Sequence, residues 1–274
     1  MKYTVKVADF DDVSAAAAVE SATMGDYVYV QTAWNYYWNT EGAFLCAYDK
    51  DEMVGIAHLA VLPDRAGWFE ALRVHPDHQN QGVGKALYEK ALELINDKFH
   101  CTSLSMYTGH TNVRSAGLAA KYGLTTVYEH KEYNFAVDGP RDTHGFRYAD
   151  WERAKELALP LAEEYGDMLS MNRTWYRINE ANITAFADRE YFYEDGNGSF
   201  VCVGTRFQHG KKLFVSMLGG DYAKGLDFAV NLAAAQNIPM ITCTFTAGNE
   251  KLEKALTDYG FTFATGLITK ERIF

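Results

Sequence analysis

The chain has 274 residues, of which 48% are hydrophobic, and it carries a formal net charge of −10. This length suits one large or two modest domains, each with enough apolar side chains to form a core. The acidic balance argues against nucleic acid or an anionic membrane as a partner, because both are bound by clustered lysine and arginine. No apolar run approaches the length of a membrane span, and the first residues carry no apolar signal core. We therefore expect a cytoplasmic protein.

Cysteine and histidine spacing gives no indication of a metal site. The cysteines are far apart, without a Cys-x-x-Cys pair, so neither a zinc site nor a disulfide framework is predicted. His75 and His78 have the spacing of metal ligands, but no carboxylate or cysteine accompanies them at such a spacing. The sequence does not indicate an oligomeric state.

The first third of the chain reads as a strand, a helix, an aromatic stretch and a hairpin. Alternation predicts a strand over Tyr3–Ala8, and aspartates then favour a helix that begins near Val13. The aromatic stretch Tyr27–Tyr37, which Trp38 follows, predicts a packed helix or lid, with direct contact to a ligand as the alternative. Two strands, Phe44–Tyr48 and Met53–Val61, are separated by a polar turn. A third strand follows over residues 68–74.

The sequence between that third strand and the next helix is its most informative part. Pro76 ends the strand pattern, and apolar residues recur at helical spacing up to Ile95. Between them stands Gln79-x-x-Gly82-x-Gly84, which leaves backbone N–H groups uncrowded at a helix N-terminus, where an anion is favoured. The pattern is neither a P-loop nor a dinucleotide-binding fingerprint. Two glycines before a helix are also compatible with a simple tight turn.

This stretch resembles motif A of the GCN5-related N-acetyltransferases (GNAT), Gln/Arg-x-x-Gly-x-Gly/Ala after a strand that ends Val-x-Pro. The resemblance implies that acetyl-CoA is the co-substrate. It also implies that the strand splays from its neighbour, so that Leu72 and Val74 pair with the pantetheine arm. The same resemblance assigns the pyrophosphate to the loop and first helical residues: Gln79, Asn80, Gln81, Gly82, Val83, Gly84 and Lys85.

A second resemblance, to motif B of the same family, follows a strand predicted over Ser103–Tyr107. An asparagine, Asn112, opens a helix that Gly123 ends. In the family this asparagine contacts the pantetheine or orients the strand beside it. Many members place a tyrosine seven residues later, where it protonates the thiolate of CoA, but here that residue is Ala119. Tyr122 faces another side of the helix, so protonation by a tyrosine is in doubt.

The sequence repeats itself after a linker of glycine, proline and charged residues that begins at Asp138. The pattern of Val7–Asp12 recurs as Tyr148–Arg153, and that of Asn112–Thr125 recurs as Asn249–Thr262. We therefore predict an α/β (α+β) fold of two GNAT-like domains, each a mixed, mainly antiparallel sheet flanked by helices. The predicted domains are 1–138, which is catalytic, and 146–274, which is degenerate.

The second copy lacks the glycine loop. Where motif A should stand, Asp221 and Asp227 lie around the helix start, and a carboxylate there would occupy or repel an anion. We expect a structural partner domain, with a second active site as the alternative.

Glu70 is the leading candidate for the catalytic base. It is an unexpected carboxylate on an otherwise apolar strand, where strict alternation would place it on one face with Leu72 and Val74. A buried carboxylate would have a raised pKa suited to a base. The alternative is a salt bridge to Arg73 or to a partner on a neighbouring strand. His58 is expected to be a satisfied strand residue.

The predicted function is acetyl-CoA-dependent N-acetylation of a primary amine of a small molecule or peptide, without a metal. The alternative is a non-catalytic protein that binds or senses acyl-CoA, which the alanine at 119 favours. Neither composition nor motif indicates which amine would be the acceptor.

Overall fold

The computed structural model describes residues 3–25 and 28–274. The chain forms two compact units, one of Met1–Val127 with Thr269–Phe274 and one of Tyr128–Ile268. The division into domains 1–138 and 146–274 follows from the two copies of the sequence, and it stays a prediction. The first unit contains these elements: β1 (Thr4–Val7), α1 (Val13–Met24), α2 (Val30–Trp38), β2 (Gly42–Asp49), β3 (Glu52–Val61), β4 (Ala66–Val74), α3 (Val83–Leu94), β5 (Ser103–Gly109), α4 (Val113–Lys121) and the beginning of β6 (Thr125–Ala136).

The second unit contains the rest of β6 and a further set of strands and helices. These are β7 (Arg147–Tyr148), α5 (Trp151–Ala158), β8 (Met168–Met171), β9 (Thr174–Arg177), α6 (Glu180–Ala187), β10 (Phe192–Glu194), β11 (Phe200–Gly204), β12 (Leu213–Gly219), α7 (Tyr222–Ala235), β13 (Met240–Thr246), α8 (Glu250–Tyr259) and β14 (Thr262–Ile273). The last residues of β14 belong to the first unit.

The sheet of the first unit has the order β1, β2, β3, β4, β5 and the end of β14. The pairs from β1 to β4 are antiparallel, and β4 pairs with β5 in parallel. Helix α3 packs its predicted apolar stripe on one face, as the burial of Leu87 and Ala91 shows. Trp34 of α2 lies against Phe44 on the other face, with ring centroids 4.7 Å apart. The predicted mixed, mainly antiparallel sheet with helices on its faces is confirmed.

The aromatic stretch forms a packed helix, which is one of the two structures predicted for it. Trp34 and Tyr37 of α2 are buried, whereas Trp38 is exposed and contacts Phe10. Tyr27, which belonged to the predicted stretch, lies outside the described residues.

A β-bulge interrupts β4 and corrects one prediction. His58 faces Glu70 and Ile56 faces Arg73, so Ala71 and Leu72 share a single partner on β3. Ala71 takes a left-handed φ of +54°, a conformation that in G1 bulges is usually taken by glycine. Because the extra residue reverses the alternation, Glu70 lies on the face of Arg73, and Leu72 and Val74 pack against the α3 core. The prediction that Glu70 shares a face with Leu72 and Val74 is therefore wrong.

Strands β4 and β5 separate soon after they begin. Their parallel pairs are Ala66–Ser103, Gly67–Leu104 and Trp68–Ser105, and the later described residues of β4 have no partner on β5. A gap therefore opens along the second half of β4, on the side of the strand that leads to the start of α3. This is the splay that the resemblance implies.

The second unit repeats these features with one insertion. Strand β12 has one extra residue opposite the step from Cys202 to Val203 of β11. The same strand pairs in parallel with β13 over only three residues. The side chains of Asn112 and Asn249 cap α4 and α8 by accepting backbone N–H bonds at 3.1 and 3.0 Å. The hairpin β8–β9 has no counterpart among the described residues of the first unit and was not predicted.

Over the described residues, no helix has the length and apolar character that a membrane span requires. Nor do the His, Cys, Asp and Glu side chains of the described ranges gather in a group of three that could hold a metal ion.

Candidate active site

The first turn of α3 is open to an anion. Gly82 is the N-cap residue with φ +97°, and among the described residues no side chain accepts a hydrogen bond from this helix end. The first backbone N–H groups of a helix have no intrahelical acceptor, and they carry the positive end of the helix dipole. Asn80, with φ +59°, and Gly82 turn the loop so that it passes directly from β4 into α3. Glycine suits position 82 because other residues rarely adopt this backbone conformation.

Two glutamines hold this loop in shape. The amide of Gln79 donates to Val74 O at 3.1 Å, at the end of β4, and Gln81 donates to Asp77 O at 2.7 Å. Tyr3 donates to Gln81 Oε1 at 3.3 Å. The side chains of both glutamines therefore have structural partners, and what they leave for a ligand is the backbone of the loop.

Gly84, Val83 and Lys85 have different roles at the helix start. A Cβ atom at position 84 would lie 3.0 Å from Leu118 Cδ2, so glycine lets α3 approach α4 closely. The side chain of Val83 is buried in the core. Lys85 is exposed and pairs with Glu89 at 3.6 Å. Of the three, only Lys85 offers a charged side chain near the loop.

Arg114 is a cation that the sequence reasoning missed. It lies in the first turn of α4, and its Nη1 donates to Gln79 Oε1 at 2.5 Å. This contact brings an exposed guanidinium to the glycine loop, where it adds positive charge to the helix dipole. The only sequence signal was its position two residues after Asn112, and that spacing alone does not indicate proximity to the loop.

The side chains of Asn112 and Tyr122 both have partners within the protein. Asn112 Oδ1 accepts from Ser115 N at 3.1 Å and so begins α4 beside the end of β5. Tyr122 donates to Lys85 O at 3.1 Å, and its ring stacks on Tyr88. Burial, with Glu89 nearby, raises the pKa of Tyr122 to about 12. Ala119 is fully buried and cannot supply a proton.

Glu70 pairs with His58 across two strands. His58 Nδ1 lies 3.0 Å from Glu70 Oε1, and the two residues are 0% and 8% exposed. The ring of Tyr37 covers the imidazole at a centroid distance of 4.1 Å. The partner of Glu70 is thus on the neighbouring strand, one of the two alternatives, and it is not Arg73. A carboxylate and an imidazole in contact can pass one proton between them.

A second polar group lies on the same face of the sheet. Glu20 of α1 is fully buried, and its Oε2 accepts from the backbone N–H of Tyr29 at 2.9 Å and of Val30 at 2.7 Å, which caps α2. Arg73 donates to the hydroxyl of Tyr29 at 3.4 Å. This face therefore carries two buried carboxylates, one imidazole and one guanidinium.

Part of the first unit is similar to a known protein family. Residues 15–124 match the model of the acetyltransferase (GNAT) family. They form a GNAT domain. This match lies within the first unit, and members of this family use acetyl-CoA. No protein of curated function matches the sequence.

Solved structures extend the GNAT fold to the whole chain. A GCN5-related N-acetyltransferase from Sphaerobacter thermophilus is 13% identical and covers 99% of this chain and 96% of its own, with a TM-score of 0.72. A tandem GNAT protein from the clavulanic acid biosynthesis pathway is 14% identical and covers 99% and 98%, with a TM-score of 0.64. A GCN5-related N-acetyltransferase from Kribbella flavida is 16% identical and covers 99% and 71%, with a TM-score of 0.55. These similarities show a tandem GNAT fold.

In the second GNAT unit the helix start is closed by the chain itself. Asp221 is the N-cap residue of α7, and its Oδ1 accepts from Ala223 N at 3.1 Å and from Lys224 N at 3.4 Å. The carboxylate thus takes the donors that an anion would need. Asp227 lies further along the helix, where it accepts from Tyr259 at 2.6 Å and contacts His144 Nε2 at 2.8 Å.

The gap beside β12 is also filled. The hydroxyl of Tyr165 donates to Leu218 O at 2.8 Å and accepts from Leu218 N at 2.9 Å. Tyr165 is 2% exposed, and burial raises its pKa well above the usual value. Ser216 donates to Ser170 O of β8 at 2.5 Å, so the inserted hairpin also covers this strand. In this GNAT unit, protein groups bind the backbone that a pantetheine arm would need.

Proposed function

We propose that the first unit transfers the acetyl group of acetyl-CoA to a primary amine of a small molecule or peptide. The observation that carries this proposal is the gap between β4 and β5, which leads to the uncapped N-terminus of α3. A gap beside a strand suits an extended amide-bearing arm, and an uncapped helix N-terminus suits its pyrophosphate. The second unit, which has the same bulge and short strand pairing, fills both places with its own side chains.

The residues that would hold acetyl-CoA are those of the loop and the strand edge. The backbone of Leu72 and Val74 would pair with the pantetheine, and the N–H groups of 79–85 would bind the pyrophosphate. Lys85 and Arg114 add positive charge at the loop. Asn112 would act through its cap, because it fixes the start of α4 beside the gap.

Glu70 is the proposed base, with His58 as its partner. Acetyl-CoA supplies an activated thioester. The amine must reach it as the neutral form, form the C–N bond as the C–S bond breaks, and lose one proton while the sulfur of CoA gains one. Glu70 accepts the amine proton, and His58 orients the carboxylate from Nδ1. The route to the sulfur does not include position 119, where the family often has tyrosine.

The test of this role separates turnover from cofactor binding. Glu70→Gln keeps the size of the side chain but removes the basic carboxylate, so the turnover number should fall about 100-fold. The affinity for CoA, measured by calorimetry, should stay within about threefold of the native value. As a control, Glu52→Gln changes an exposed carboxylate on β3 and should alter neither. Native turnover in Glu70→Gln would remove Glu70 from the mechanism.

A second candidate function is non-catalytic binding or sensing of acyl-CoA, which Ala119 favours. Incubation of the full chain with acetyl-CoA and a panel of amines, followed by detection of free thiol, distinguishes the two. An enzyme releases thiol well above the rate without amine. Tight CoA binding without amine-dependent release would support the sensing function.

A further inference from the structure

Arg73 is placed by the bulge beside the proposed base. Glu70 and Arg73 face His58 and Ile56, which are two residues apart on β3. Neighbours at this spacing on one strand face have Cα atoms about 7 Å apart. A carboxylate and a guanidinium are therefore presented together, within the length of one small molecule.

The guanidinium of Arg73 has unused donors. Its Nη1 donates to Leu72 O at 3.0 Å and its Nη2 to Tyr29 OH at 3.4 Å, and the Tyr29 ring centroid lies 5.8 Å away. Its Nε is buried and has no acceptor, and no carboxylate of the described residues forms an ion pair with it. A guanidinium carries five N–H donors in a planar fork, and an unfilled buried donor is costly.

Compensation of buried charge does not account for this arrangement. Glu20 also has a buried polar atom without a partner, because its Oε1 receives no hydrogen bond. Arg73 and Glu20 are close enough for the carboxylate to act on the pKa of the guanidinium, yet the two side chains are not bonded to each other. If the arginine served only to neutralise the glutamate, a direct ion pair would be the most favourable arrangement.

We propose that the acceptor is an amino acid or a close analogue, whose carboxylate binds Arg73 and whose amine faces Glu70. This proposal rests on the proposed acetyl transfer. The Nε edge of a guanidinium matches the two oxygens of a carboxylate. This face presents one guanidinium, Arg73, beside the carboxyl groups of Glu20 and Glu70. A ligand with one carboxylate and one amino group has a partner for each, whereas a phosphate dianion carries more negative charge past two carboxyl groups than one guanidinium offsets.

The test uses matched pairs of acceptors. Each of the twenty amino acids and its carboxamide is offered to the full chain with acetyl-CoA, and kcat/KM is measured by thiol release. At least one amino acid should exceed its own carboxamide by about 10- to 100-fold, the range expected for a charge-assisted bond to a buried guanidinium. If no amino acid exceeds its carboxamide, the proposal is overturned.

Substitution of Arg73 then tests the contact itself. In Arg73→Gln, the ratio of kcat/KM for the acid to kcat/KM for the amide should fall to about one. Arg73→Lys should retain only part of the native ratio. Arg65→Gln, on the turn before β4, is the control and should keep the full preference. A merely structural arginine would lower both rates and leave their ratio unchanged, which would contradict the proposal.

The outcomes distinguish a failure of the amino acid assignment from a failure of acetyl transfer. Equal turnover of acids and amides supports acetyl transfer and overturns only the amino acid assignment. Calorimetric CoA binding without turnover of any amine overturns acetyl transfer and, with it, this proposal. CoA affinity also shows whether each Arg73 variant is folded.

Discussion

Single residues decide which of the two units can bind a cofactor. Tyr165 is the clearest case, because one hydroxyl satisfies both the N–H and the C=O of Leu218 where β12 has parted from β13. Backbone polar groups that are buried without a partner cost free energy. The hydroxyl of Tyr165 therefore makes the two backbone hydrogen bonds that a bound ligand would otherwise have to make. In the first unit, Arg73 Nη1 donates to Leu72 O at 3.0 Å, but no side chain of the described residues accepts a hydrogen bond from Leu72 N.

Replacement of Tyr165 should destabilise the protein. Tyr165→Phe removes one hydroxyl and leaves both backbone groups of Leu218 unpaired, so the free energy of unfolding should fall by about 1–3 kcal/mol. Urea denaturation followed by tryptophan fluorescence measures the change. Tyr128→Phe, in the same unit, removes a hydroxyl for which the structure gives no hydrogen bond, and it should change the free energy by less than about 0.5 kcal/mol. Equal effects of the two substitutions would contradict the role of Tyr165.

The sequence predicts the elements better than it predicts their internal irregularities. The strand, loop and helix over 68–95 were predictable because proline, glycine and apolar spacing act locally. The bulge at Ala71 was not, because a left-handed alanine depends on the pairing with β3 and leaves no mark in composition. For this reason the face of Glu70 was assigned wrongly, although its type and its burial were anticipated.

Contacts between distant residues were the other limit. His58 and Glu70 are twelve residues apart, and which strand residues face each other depends on the bulge. Arg114 reaches Gln79 from another helix. Alternation and motif spacing do not contain this information, whereas the caps by Asn112 and Asn249 are local and were visible as a repeat.

The start of α3 is the element on which cofactor binding depends. Gly84→Asp places a carboxylate at the proposed pyrophosphate site, so the affinity for CoA should fall more than about 100-fold through charge repulsion. Because any Cβ at this position meets Leu118, Gly84→Ala is the matched control for the steric effect. The alanine variant should lose less than about tenfold. Calorimetry on both folded proteins measures the two affinities, and similar losses would point to packing in place of charge.

At the scale of the whole molecule, the two units share a framework and differ in what they leave open. Both have a bulged central strand, a parallel pair of only three residues and an asparagine-capped helix. The first leaves its helix N-terminus without a side-chain cap, whereas Asp221 caps the second. An anion at the second helix would have to displace a bonded carboxylate and would be repelled by it.

We therefore expect one molecule of CoA to bind per chain. Titration of the full chain by calorimetry should give a stoichiometry near one, and Gly84→Asp should eliminate the signal. Asp221→Ala removes the cap but not Tyr165, so the second unit should still bind no CoA, and the stoichiometry should stay at one. The double variant Asp221→Ala, Tyr165→Phe tests whether both obstacles matter, since only it opens the helix start and frees Leu218. A stoichiometry of two in the native chain would mean that the second unit binds CoA despite these contacts.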